Sequence, residues 1–125
     1  MKITYELIEQ IALNLNGAKK EYKQSWGATL FWIENKMFLL VGDDKENPMM
    51  NFKNDEFINI HLREKYPEII PGYHMNKKHW NSLYFNNSKN IDKKFLEQLI
   101  FESYEIILKS LPKKLQLLYT QELLN

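Results

Sequence analysis

Ten consecutive residues, Pro71 to Trp80 (PGYHMNKKHW), gather two of the chain's three histidines with a tyrosine, a tryptophan and two lysines. Lysine ammoniums at a turn supply point charges for phosphate, and aromatic rings beside them supply stacking faces for bases. Lys77, Lys78 and His79, with Lys53 from an upstream segment, therefore form a candidate phosphate patch, and Tyr73 or Trp80 a candidate stacking platform. The competing reading makes Tyr73 and Trp80 core aromatics and the lysines a solvated turn. His74 and His79 are also possible metal ligands, but a metal needs three or four donors and no third stands adjacent. His61 and the pair Asp43-Asp44 could join them only through the fold, and a histidine bonded to backbone is the simpler expectation. No metal and no cofactor are expected.

Other catalytic signatures are absent from the sequence. Ser25, Ser82, Ser88 and Ser103 have no nucleophile-elbow context. The four glycines form no phosphate loop. Asp43-Asp44 reads as a solvated pair in a polar loop. A histidine base beside a carboxylate would be visible only in geometry, so the expectation is a chain that is not an enzyme.

Composition narrows the class. The 125 residues match one domain, 1–125, and 44% are hydrophobic, enough for a core without staples. Without cysteine there are no disulfides and no thiolate metal sites, which suits a reducing, cytoplasmic compartment. Glu6 and Glu9 interrupt the N-terminus where a signal peptide needs an apolar run. The longest apolar run, Met37 to Val41, falls far short of the roughly 20 residues that span a bilayer, so no membrane partner is expected. The net charge is +1, without the basic excess of a dedicated nucleic-acid binder, and Arg63 is the single arginine. Lysine lacks the fork that reads guanine bidentately. Abundant lysine and asparagine with scarce arginine points to an A/T-rich genome more than to a function.

The elements that must position these residues follow from periodicity. Thr4 reads as the cap of a helix carrying Leu7, Ile8, Ile11, Ala12 and Leu15, closed by Gly17. Glu21 to Ser25 is a first strand or its approach. Thr29 to Ile33 and Met37 to Val41, apolar on both faces, read as central strands joined by a Glu34-Asn35-Lys36 turn in which Asn35 takes positive φ. Gly42 to Pro48 reads as a loop and Met49 to Lys53 as a strand. Asn54 or Asp55 caps a second helix with Phe57, Ile58, Ile60, Leu62 and Tyr66 on its apolar side, and Pro67 stops it. Ile69 to His74 and Trp80 to Phe85 read as strands. Asn90 or Asp92 caps a long third helix with Leu96, Leu99, Ile100, Ser103 and Ile107 on one face and Phe95, Tyr104 and Leu111 beside it; Pro112 ends it. Leu115, Leu118, Tyr119 and Leu123 give a short extra helix over 115–125, packed on its own core or on a partner or second copy. The order α-β-β-β-α-β-β-α, plus that helix, predicts an α+β fold with an antiparallel sheet of about five strands covered on one face.

The central segment resembles the MmcQ/YjbR-like family, whose signature is PGYH, two residues, then K-R/K-HW. Gly17-Ala18 with Glu21-Tyr22, Asn35-Lys36-Met37-Phe38, Asn51-Phe52-Lys53-Asn54-Asp55 and Leu111-Pro112-Lys113-Lys114 resemble further family segments in order. The resemblance implies a CyaY-like (frataxin-like) α+β fold, also seen in secretion chaperones, and the DNA binding by a double-wing arrangement that is proposed for the family. Departures are Lys78 where arginine is common, Asn35 for a glycine, Asn54 for a cysteine, and the tail after Lys114. The expectation is a small binding module that contacts DNA through Lys53, Tyr73, His74, Lys77, Lys78, His79 and Trp80. A protein-interaction or chaperone-like module using the sheet face or the last helix, and a histidine-dependent enzyme using His74 or His79, stand as alternatives.

Overall fold

The computed structural model describes residues 2–44, 46–72 and 75–124, with the side chains of 44 and 121–124 outside it. Tyr73 and His74 therefore lie outside the described residues, as does the side chain of Leu123.

Helix α1 (Tyr5–Leu13) starts where Thr4 Oγ1 accepts from Leu7 N at 3.2 Å and buries Ile8 and Ala12. It stops at Leu13, short of the expected glycine. Gly17 instead holds a left-handed φ of 76° in the turn that leads into strand β1 (Ala18–Lys23). A short 3-10 turn, Gln24–Trp26, leads to β2 (Ala28–Ile33), β3 (Lys36–Asp44) and β4 (Asn47–Lys53). The expected 42–48 loop is mostly strand, because Asp43 pairs with Pro48 and Asp44 with Asn47 in a long hairpin. At the β2–β3 turn the left-handed residue is Glu34 (φ 55°), not Asn35; the Tyr119 hydroxyl donates to the Glu34 carboxylate and anchors that turn.

Helix α2 (Glu56–Lys65) follows, capped by Asp55, whose carboxylate accepts from Phe57 N at 2.9 Å. Strand β5 is only Ile70–Pro71, and β6 is Trp80–Tyr84. Helix α3 (Lys93–Lys109) is capped by Asp92, and α4 (Lys113–Leu124) closes the chain. The six strands form one antiparallel sheet in the order β1-β2-β3-β4-β6-β5. This is the expected α+β class with four strands rather than three before the second helix, and β2 and β3 are interior as their two-sided apolar pattern requires.

One face of the sheet carries the core. Phe31, Leu39, Phe52 and Leu83 pack there with Ile8 and Ala12 of α1 and with Leu96, Leu99, Ile100, Tyr104 and Ile107 of α3. Between Phe31 and Trp32 the β2–β3 register slips by one residue, so that Phe38 has no partner and both Phe38 and Leu39 are fully buried. Such a bulge frees a carbonyl. Ser103 of α3 resolves it: its hydroxyl donates to Phe38 O at 2.6 Å and accepts from Lys53 N at 2.8 Å. A serine on an apolar helix face thus stitches β3 and β4 to the helix.

The sheet edges are blunt. β1 presents Lys19, Lys20 and Glu21 to solvent, with Lys20 paired to Glu9 at 3.0 Å, and β5 has two residues ending in Pro71. Helix α4 docks on its own chain: Leu115 and Tyr119 pack toward the core, Asn16 Nδ2 donates to Tyr119 O at 3.2 Å, and the Tyr119 ring lies over Gly17. Leu118 points outward, so the expected stripe divides between two sides.

The largest departure is α2. Its single buried residue is Asn59, while Phe57, Ile58 and Ile60 are 72%, 44% and 47% exposed. The expected apolar side divides: Leu62 and Tyr66 pack against the core while Phe57, Ile58 and Ile60 are turned outward, because the buried position at Asn59 serves a polar purpose.

Candidate functional site

The purpose is to hold the turn that precedes β6. Residues 76–80 form one helical turn, with Trp80 N donating to Asn76 O at 2.9 Å and Lys78 N to the Asn76 side chain at 3.0 Å. A single turn with these bonds is not stable by itself. Asn59 Nδ2 reaches from α2 to donate to Lys78 O at 2.9 Å and to Asn54 O at 3.1 Å. Asn81 Nδ2 donates to Asn59 Oδ1 at 2.7 Å, and Arg63 Nε to Asn81 Oδ1 at 2.9 Å. Arg63 Nη2 donates to Lys77 O at 2.7 Å and to Trp80 O at 3.0 Å. Asn54 N closes the ring on His79 O at 2.9 Å. Three successive carbonyls of the turn, at Lys77, Lys78 and His79, are therefore each taken up by α2 or the residue leading into it.

Arg63 is the chain's one arginine, and its position explains the choice. A planar fork donates from two nitrogens in a fixed geometry, here Nε to Asn81 and Nη2 to Lys77 and Trp80, whereas a lysine would bring all its donors to one point. Burial pushes the guanidinium below its ordinary value, yet arginine stays charged throughout the physiological range.

The expected site residues separate under this geometry. Lys53 and Trp80 are register partners on β4 and β6, so Lys53 does lie beside the turn. Lys77 is exposed, but its ammonium donates to Gly72 O at 2.9 Å and helps close the loop. Lys78 is exposed, and neither its ammonium nor that of Lys53 has a hydrogen bond among the described residues. His79 is half-buried. Trp80 is half-buried and packs on Gly72, where a side chain would stand 2.9 Å from Trp80 Cβ and 3.0 Å from its carbonyl oxygen. Gly72 is required by that close approach. Tyr73 and His74 lie outside the described residues. Acidic groups border the cations: Asp55 and Glu56 begin α2, and Glu102 accepts from Asn54 Nδ2 at 3.0 Å.

Three of the serines hold structural bonds. Ser82 donates to Asn51 Oδ1, Ser88 to Phe85 O and Ser103 to Phe38 O. Among the described residues no three His, Asp or Glu side chains converge as a metal would need. None of the helices is long and apolar enough to cross a membrane, as far as the described residues go. Sequence reasoning missed Asn59, Asn81 and Asn54 as the supports of the turn; the lone arginine was the signal available for them.

An open six-stranded antiparallel sheet with four helices defines a class of small α+β domains known from solved structures. The Deinococcus radiodurans protein DR2400, with a DUF419 domain, superposes with a TM-score of 0.78 over 91% of this chain and 85% of its own, at 22% identity. A Pseudomonas syringae crystal structure superposes at 0.69 over 83% of this chain and 98% of its own, at 20% identity. The YjbR family model matches residues 13–106, and the chain belongs to that family. Among its relatives, the uncharacterized protein YbdF of Escherichia coli O157:H7 is 37% identical over 85 residues, 68% of either chain. The uncharacterized protein YjbR of Escherichia coli K12 is 24% identical over 119 residues, 95% of this chain and 99% of its own.

Proposed function

We propose that the chain is a non-catalytic binding module whose 76–80 turn, with Lys53 beside it, contacts the phosphates of nucleic acid. The supporting observation is the clamp: buried asparagines and the only arginine hold the turn's backbone while the ammoniums of Lys53 and Lys78 remain uncommitted. A loop fixed before binding loses little entropy on contact, which is the use of a rigid scaffold under a recognition loop. The bordering carboxylates restrict the contact to a narrow one. With two uncommitted cations, the logarithm of affinity should fall with the logarithm of salt at a slope of about −2. Fluorescence anisotropy of a labelled duplex across a salt series tests this. Lys53→Ala with Lys78→Ala should flatten the slope toward zero; absence of salt-sensitive binding by the native protein refutes the reading.

A second reading, a protein-interaction module, is favoured by the outward Phe57, Ile58 and Ile60 of α2. Exposed apolar side chains grouped on one helix mark partner surfaces. If a second copy covers them, light scattering should give twice the chain mass and Phe57→Ser should return it to one. A native monomer excludes self-association through α2.

A further inference from the structure

The sheet face turned away from α1 and α3 carries or borders all three of the chain's tryptophans. Register places two of them. Phe31 and Ile33 are buried on the helix-covered face, so Trp32 between them points the other way. Phe52 is buried on the covered face as well, so its neighbour Lys53 and the partner of Lys53, Trp80, lie on the open one. Lys20 turns back to Glu9 of α1, which leaves Lys19, the partner of Trp32, on the open face. Trp26 is 56% exposed at the border, beside a hollow lined by Met37, Met49 and Met75. Leu40 and Asn51, which alternate with the core residues Leu39 and Phe52, line that hollow and fix it on the open face.

Two properties of this face select a ligand. The first is order: Lys19, Trp32, Met37, Lys53 and Trp80 form one band across five strands, in which cations alternate with apolar surface. Trp32 and Trp80 are half-buried, so part of each ring meets solvent, and neither Lys19 nor Lys53 has a hydrogen bond among the described residues. The second is charge. Lys23 of the same face adds an ammonium 3.9 Å from the Trp26 ring centroid. Against these three lysines, the described side chains on this side of the strands set one carboxylate, Glu21. Aromatic rings interleaved with cations hold unpaired bases by stacking and their phosphates by charge. The bases of a duplex are stacked on one another and offer such rings no free face.

We infer that the open face binds single-stranded nucleic acid, with bases stacked on Trp32 and Trp80 and phosphates on Lys19 and Lys53. This rests on the phosphate contact proposed for the 76–80 turn and extends it: the strand leaves the turn at Trp80 and crosses the sheet toward β1. Trp32 and Trp80 stand on β2 and β6, three strand spacings apart, or about 14 Å. That distance takes about four nucleotides at the stacked rise of about 3.4 Å. Met37 lies between the two rings on β3, and a thioether adapts to an aromatic base laid against it.

The test titrates the full chain with an oligothymidylate and with a mixed-sequence duplex of the same length, read by tryptophan emission. All three tryptophans belong to this face or its border, so emission reports on it alone. The single strand should quench saturably and bind about tenfold more tightly than the duplex. Trp32→Ala should weaken single-strand binding about tenfold. Lys19→Ala, at an exposed position on the far side of the sheet from the turn, should reduce the single-strand salt slope by about 0.7. No quenching by the single strand, equal or tighter binding of the duplex, or an unchanged salt slope in Lys19→Ala would each overturn the inference, whatever the fate of Trp32→Ala. Salt-sensitive binding that ignores Lys19→Ala would sink the crossing of the sheet and leave the turn's phosphate contact standing. No salt-sensitive binding of either nucleic acid would sink both.

Discussion

Replacing Asn59 with alanine removes the centre of the clamp, and its cost can be worked from the structure. Asn59 is fully buried and makes three hydrogen bonds, to Asn54 O at 3.1 Å, to Lys78 O at 2.9 Å and from Asn81 Nδ2 at 2.7 Å. A net contribution of about 1 kcal/mol per bond gives about 3 kcal/mol. The Asn81 amide, itself fully buried, is left without its acceptor, and a stranded buried donor costs about 1–3 kcal/mol by itself. Relaxation of the turn toward water recovers part of this, so the expected loss is about 3 kcal/mol, or roughly two orders of magnitude in the folding equilibrium. Urea unfolding followed by circular dichroism should show a lower midpoint with an unchanged slope. Amide exchange at Lys78 and Trp80 should quicken more than exchange in β2 and β3, since the effect is centred on the turn. A loss below about 1 kcal/mol, or turn amides no faster than in the native chain, would show that Asn59 does not hold the turn.

Gly17→Ala should destabilise by about 1 kcal/mol through the left-handed backbone alone, and should also displace the Tyr119 ring that lies over Gly17. Trypsin cleavage at Lys113 and Lys114 should then quicken; an unchanged cleavage rate would mean that α4 is held without this contact. Glu68 is buried, and the Asn90 amide, donating to Oε2 at 2.8 Å, holds its carboxyl below the usual carboxylate range. A depressed value means that the ionised form stabilises the fold above the ordinary glutamate value of about 4.3 and that this contribution is lost as pH falls through the folded value. Glu68→Gln should therefore be less stable than the native chain at neutral pH and closer to it in acid, by urea midpoints; an equal difference at both pH values contradicts the assignment.

The helices α1 and α3 were legible because caps and apolar periodicity are local: Thr4 and Asp92 cap as their residue types require, and the Leu96–Ile107 face is buried. Strands β2 and β3 announced their interior position by being apolar on both faces. What failed depended on partners distant in the chain. Of the apolar residues of α2 only Leu62 and Tyr66 reach the core, since the turn at 76–80 needs donors and Asn59 and Arg63 face it while Phe57, Ile58 and Ile60 are left outside. The positive φ at Glu34 goes with an anchor from Tyr119, 85 residues away. The candidate site was half visible: residue types and order marked the turn, but nothing local reveals that Lys77 is tied to Gly72 O while Lys78 is not.

The blunt margins of the sheet carry a consequence for how this protein behaves when crowded. A row of lysines along β1 and a two-residue β5 ending in proline deny an incoming chain the unpaired ladder on which fibrils and swapped oligomers grow. Apolar side chains on α2 and a methionine-lined hollow can then stay open to solvent without seeding strand-on-strand polymerisation. The charged border guards against ordered stacking and leaves the faces free to vary in what they touch.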